Sequence, residues 1–160
     1  MKHPKKTLSW TRRGSGRALT AAEIELARSV FGDSINYDQV RIYNEKFFPL
    51  QPKNVAMAPN GNLFFHPAGN MYVCDFSDCD LRSQELFIHE MTHVWQKQTG
   101  TNVILHGIYQ RNYSYCLSSG KPFSKYNIEQ QGDIVRDYFY LQHDSAGGPA
   151  IERYKRILPF

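Results

Sequence analysis

The sequence predicts an α+β domain, and three observations carry that prediction. A helix-forming pattern opens the ordered part of the chain. Three short β-prone runs separated by turn chemistry follow it. The second half then holds two longer helical patterns, each carrying chemically useful side chains four positions apart. The expected architecture is an N-terminal helix, a short mixed or antiparallel sheet, and two helices that bring their polar stripes to one place. With 160 residues, 41% hydrophobic and 14% aromatic, the chain suits one domain that folds without staples. The reading divides it into a flexible basic lead at 1–18 and a single domain at 19–160.

The elements follow in order. Thr20 begins "TAAE", a capping box with Glu23 three residues on. Ile24, Leu26, Ala27 and Val30 then recur at helical spacing, so a helix is expected over about 20–31, ended by "FGD". Strands are expected at 38–44 (DQVRIYN), 62–67 (NLFFHP) and 71–77 (MYVCDFS), because each run is rich in β-branched and aromatic residues. "APNGN" and "PAGN" supply the turns between them. From Ser83 the pattern turns helical, with Leu86, Phe87, Met91, Val94 and Trp95 on an apolar stripe and Gly100 as the stop. A long segment, 101–126, reads as a functional rim, with extended pieces near 103–105 and 113–117. A second helix is expected over about 127–142, with Ile128, Val135, Phe139 and Leu141 facing the core, and a last helical turn in the tail.

Charge and cysteines narrow the classes. The first seventeen residues hold six of the 19 basic side chains and no acid. The remainder has 13 basic and 15 acidic residues and sits near −2, so the basicity belongs to the lead and not to a nucleic-acid-binding face. No apolar run is long enough to cross a membrane, and the N-terminus lacks the apolar stretch of a secretory signal. Synthesis in the cytoplasm is the expectation. Three cysteines, Cys74, Cys79 and Cys116, do not make a disulfide framework. A Cys74–Cys79 pair would fit an oxidising compartment.

The chemistry lies in "HEMTH". His89 and His93 are four apart, so on a helix they project from one face and can share one ion. Glu90 sits one position around, where it can act as general base on the metal's water. A catalytic zinc wants a third protein ligand and keeps one open position. The second helix offers Glu129 as that ligand, and Asp133 one turn later can accept the N–H of a ligating histidine, most naturally His89. Asp137 is the strongest rival, being on the same face, and Glu85, Asp144 and Glu152 are further carboxylates. Gly132 lies between the two acids and reads as a position of close helix–helix approach. An oxyanion donor is sought in Tyr126, with His106, Tyr109, Tyr113 and Tyr115 as alternatives. The runs at 62–67 or 71–77 could offer an edge to an extended peptide.

His89-Glu90-x-x-His93 followed by Glu129-x-x-x-Asp133 resembles the gluzincin metallopeptidases. With "FGDSINYDQVRI" and "YNIEQQGDIVRDYF" added, the chain resembles the small Vgr/Rhs-associated metallopeptidase domains of bacterial type VI secretion, over about 19–141. The resemblance implies a small zincin-like domain. It implies Zn2+ held by His89, His93 and Glu129, Glu90 as base, and Asp133 supporting a ligand. It further implies an antibacterial effector that hydrolyses a peptide or amide bond. The substrate would be a protein, a peptide or a peptidoglycan peptide. Expected partners are a VgrG-type spike and a cognate immunity protein, with delivery to the target-cell periplasm. A monomer without nucleic acid is expected. The alternatives are a SprT-like DNA-associated protease and a non-catalytic metal-binding or adaptor module. The basic lead and the Cys74/Cys79 pair have no counterpart in the family pattern, and the interval from His93 to Glu129 is longer than in thermolysin-like members.

Overall fold

Thr20 starts the first helix as its capping box requires. In the computed structural model, which describes residues 14–105, 112–144 and 148–160, helix α1 spans Ala21–Phe31. Thr20 Oγ1 accepts from Glu23 N at 3.0 Å, and Glu23 Oε2 accepts in return from Thr20 N at 2.9 Å. Gly32 closes the helix at φ 54°, a left-handed value that favours glycine.

Glu23 does more than cap. It is fully buried and takes both guanidinium nitrogens of Arg17 at 2.7 Å, while its Oε1 also accepts from Phe76 N at 2.9 Å. Arg17 in turn donates to Val73 O at 3.1 Å. One ion pair therefore ties the chain before α1 to the segment that leads into the site helix. Every oxygen of the buried carboxylate is satisfied, as burial of a charge demands.

The sheet is mixed and short. Strand β1 (Arg17–Ala18) pairs antiparallel with β2 (Arg41–Tyr43), and β2 pairs parallel with β3 (Leu63–Phe64), in the order β1-β2-β3. Two boundaries differ from the sequence reading. The expected lead ends at 18, whereas Arg17 and Ala18 form a strand, and Gly14 N donates to Glu45 Oε1 at 2.7 Å. Residues 1–13 lie outside the described residues. The expected strand at 71–77 is not formed. Val73 O and Phe76 N are taken by Arg17 and Glu23, and Phe76–Asp78 is a 3-10 turn. The β3 edge is met at Phe64 by Met57, which exchanges two backbone hydrogen bonds with it.

Helix α2 (Leu81–Gln98) is the centre of the molecule. Asp80 caps it by accepting from Ser83 N at 2.8 Å. From Phe87 to Val94 every side chain is buried, so the helix is enclosed on all sides. Phe76 stacks on Phe87 at 5.2 Å from one side. Helix α3 (Ile128–His143) packs along another, its Ile134, Val135 and Phe139 fully buried. Asn127 and Gln130 form a capping box at its start, which places Glu129 in the first turn. A carboxylate there is favoured by the unpaired N–H groups of the helix end. Helix α4 (Gly148–Lys155) leans on α3, and the chain ends with Phe160 against Phe31 and Trp95 at 4.8 and 5.3 Å.

Residues 103–105 are helical and 113–117 carry no regular structure, so neither expected extended piece is a strand. The latter segment is held over the start of α3: Asn127 Nδ2 donates to Asn112 O at 2.9 Å and Gln130 Nε2 to Ser114 O at 2.7 Å. Cys74, Cys79 and Cys116 are free thiols.

Candidate metal centre

His89 and His93 stand one turn apart on α2, with ring centroids 5.0 Å apart and planes at 81°. Across from them α3 presents Glu129. Its Oε2 lies 3.4 Å from His89 Nε2 and 3.4 Å from His93 Nε2. All three ligand atoms fall within 4.8 Å of one another, and this is the metal-competent cluster among the described residues. In tetrahedral coordination with bonds of about 2.0–2.1 Å, neighbouring ligand atoms stand roughly 3.3–3.4 Å apart. Both nitrogen-to-oxygen edges have that length.

The contacts behind each ring decide what it offers. His89 Nδ1 is 3.0 Å from Asp133 Oδ1, so Nδ1 keeps a proton and Nε2 is the nitrogen that faces Glu129. The same oxygen receives Arg136 Nη1 at 2.8 Å. Neither contact is a well-aligned hydrogen bond, and both act as ion-pair contacts. His93 Nδ1 is 2.9 Å from Gln96 Oε1. Its Nε2 also faces Glu129. Two imidazole nitrogens and a carboxylate oxygen thus converge on one point. Such a set repels itself unless a proton or a cation lies between, and two nitrogens with one oxygen suit a divalent transition metal.

Gly132 is the reason that His89 fits. A Cβ at this position would lie 2.7 Å from His89 Cε1 and 2.9 Å from its Nδ1. The ring occupies the space that any other residue would fill, which is the close approach expected from the sequence.

Titration follows from these contacts. Burial opposes a charge on His89, but Asp133 and Glu129 outweigh it and raise the pKa to about 10 in the absence of metal. Burial also opposes charge on Glu129, and there His89 and His93 prevail, lowering it to about 2. Glu90 behaves otherwise. Burial raises its pKa above the ordinary carboxyl value, with the two histidines only partly offsetting that and Glu129 adding to it. Glu90 Oε2 is buried and has no hydrogen-bond partner. An orphaned carboxylate oxygen beside converging metal ligands is what a proton-accepting base requires.

The other sequence candidates fall elsewhere. Asp137, the rival ligand, is held by Arg136 at 3.0 Å and by the Tyr115 hydroxyl, outside the cluster. Glu152 pairs with Lys155 at 3.2 Å, and neither Glu85 nor Asp144 joins the cluster. Tyr126, expected as the oxyanion donor, bonds within the preceding loop. Its hydroxyl donates to Cys116 O at 3.1 Å and accepts from Ser118 N at 3.2 Å, so its proton braces the loop. Tyr115 gives its hydroxyl to Asp137 and Tyr154. Tyr113 is half exposed, and His106 and Tyr109 lie outside the described residues.

Sequence reasoning missed Gln96, Gln131 and Arg136, each of which touches a ligand or its support. The signal was present for Gln96: three residues after His93, it falls on the same helix face.

With the geometry established, two similarities to known proteins bear on it. The type VI secretion system spike protein VgrG2b of Pseudomonas aeruginosa is 48% identical over 152 residues, covering 90% of this chain and 15% of the spike protein. The chain thus spans about 15% of the length of that relative. The solved effector domain of Pseudomonas aeruginosa VgrG2b superposes with a TM-score of 0.84 at 46% identity, covering 96% of this chain and 89% of that one. No protein-family model matches the chain.

Proposed function

The chain belongs to the family of the VgrG2b effector domain, and on that premise we propose that it is a zinc-dependent metallopeptidase acting as a type VI secretion effector. The observation that supports the chemistry is the cluster itself. His89 and His93 each bring a nitrogen to 3.4 Å from one Glu129 oxygen, and the buried Glu90 stands beside them with an oxygen free to take a proton. These three residues would hold zinc. The bound metal would supply a Lewis acid that polarises the scissile carbonyl and acidifies water. Glu90 removes a proton from the attacking water and delivers it to the leaving amine. Asp133 keeps His89 turned toward the site. No fourth ligand joins the cluster among the described residues, which favours a catalytic centre over a closed structural clip.

The biological reading is an antibacterial toxin that cleaves a protein, a peptide or a peptidoglycan cross-bridge in the target-cell periplasm. Its partners would be a VgrG-type spike and a cognate immunity protein. Kinship to a secretion-spike effector favours this over a DNA-associated protease. No helix among the described residues is long and apolar enough to cross a membrane.

Glu90→Gln tests the chemistry. It should keep one metal per chain and lose about 10²–10⁴-fold in peptide hydrolysis. Directed to the periplasm of a susceptible bacterium, wild type should arrest growth and Glu90→Gln should not. Full hydrolysis by Glu90→Gln would overturn the assignment.

A further inference from the structure

We infer that Gln96, backed by Gln131, is a positioning residue that fixes the tautomer of His93. The inference rests on the metal-site reading for its purpose, but its test does not. Gln96 is fully buried and Gln131 nearly so, and neither belongs to the ligand set. Their orientations are imposed by carbonyls, which only accept. Gln131 Nε2 donates to Tyr126 O at 2.9 Å and to Phe123 O at 3.2 Å. Its Oε1 must then face Gln96. Gln96 Nε2 donates to that oxygen at 2.8 Å and to Ile128 O at 3.0 Å. Flipping either amide would set oxygen against oxygen in a buried, water-poor place, leaving carbonyls unpaired. Gln96 is therefore left with only its Oε1 to show His93, at 2.9 Å from Nδ1.

The consequence is chemical. An acceptor at that distance demands a proton on Nδ1. A neutral imidazole in water carries its proton mainly on Nε2. The amide pair works against that preference and against the Glu129 carboxylate 3.4 Å from Nε2, and so turns the Nε2 lone pair to the metal position. Three backbone carbonyls, two from the segment before α3 and one from its first residue, thus set the protonation of a side chain on α2. Because amides do not titrate, this support keeps its form across the pH range.

Nitrogen-15 NMR of the imidazole rings in the metal-free protein tests this directly, without metal and without activity. As pH is raised until His93 is neutral, wild type should keep its proton on Nδ1. Gln96→Leu, which preserves bulk, should move it to Nε2. Gln131→Met should shift the population partly, because Ile128 O still holds Gln96. Zinc affinity should fall about 10–100-fold in Gln96→Leu and less in Gln131→Met. A wild-type His93 that is neutral with its proton on Nε2 would overturn the inference, even if Gln96→Leu failed to fold. A Gln96→Leu protein that keeps the Nδ1 proton would also overturn it. Loss of peptidase activity in Glu90→Gln, or its absence in wild type, would bear on the proposed function and leave this inference standing.

Discussion

The two histidines share one helix and one carboxylate but are supported in opposite ways. Behind His89 stands a charged chain: Asp133, then Arg136, then Asp137 with Tyr115. Arg136 is 38% exposed, so this arm reaches water. Behind His93 stands a neutral chain of two buried amides ending on backbone carbonyls. The difference teaches that a ligand can be aimed either by charge or by geometry. The charged arm raises the basicity of its histidine and makes it titrate. The neutral arm sets a tautomer through groups that do not themselves titrate.

The largest effect on the charged arm should come from Gly132→Ala, which drives a methyl into the His89 ring. Overpacking of this kind costs about 1–3 kcal/mol, while alanine's better helix propensity returns roughly 1. The fold should therefore survive, and zinc affinity should fall by about 100-fold, read by competition with a chelator. The His93 tautomer should be unchanged, since its amides lie on the other arm.

Asp133→Asn comes next. It removes the carboxylate behind the His89 ring and leaves Glu129 in front of it, and affinity should drop about 10-fold or more. In wild type His89 is protonated at neutral pH without metal, so zinc uptake should release about one proton, measured calorimetrically in buffers of different ionisation heat. Asp133→Asn should release fewer.

The pH dependence of metal-free stability sharpens the contrast further. A folded pKa of about 10 against an ordinary 6.5 means that His89 stabilises fully below 6.5 and loses that contribution as pH rises through 10. A folded pKa of about 2 against 4.5 means that Glu129 stabilises above 4.5 and loses its contribution as pH falls toward 2. Thermal unfolding with chelator present should therefore peak, for this cluster, between those two ordinary values. Zinc should reverse the alkaline limb, because the metal competes with the His89 proton. A metal-free curve that climbs from pH 7 to 10 would break the account of the charged arm.

Arg136→Ala should have the smallest effect. Its contacts to Asp133 and Asp137 are partly solvated, so its removal should cost no more than about 1 kcal/mol. Any change in zinc affinity should shrink further with added salt. A drop as large as that of Asp133→Asn would show that this arm is buried in function if not in exposure.

Much of this was legible in the sequence, for reasons that differ by residue. The helices announce themselves through caps and stripes: Thr20 with Glu23 for α1, then Phe87, Met91 and Val94 for α2, then Val135 and Phe139 for α3. His89, His93, Glu129 and Asp133 meet because a spacing of four puts each pair on one face and Gly132 lets the faces touch. The strand expected at 71–77 failed because its backbone groups are claimed by a distant ion pair, Arg17 with Glu23, which no local pattern reveals. Strand β1 was missed because two residues in "RGSGRAL" carry no periodicity. The bond from the Tyr126 hydroxyl to Cys116 O has no signal in the sequence, because proximity to Glu129 says nothing of where a hydroxyl points. Gln96 and Gln131 were passed over because glutamine on a helix is ordinarily a surface residue. Their role depends on carbonyls contributed by residues 123–128, visible only in three dimensions.

The central claim is that Glu129 completes a metal site with His89 and His93. Metal content of protein purified without added zinc tests it most directly, with wild type beside Glu129→Ala and Asp137→Ala. The account predicts one zinc per chain in wild type and in Asp137→Ala, and none in Glu129→Ala. Metal retained by Glu129→Ala, or absent from wild type, would contradict it.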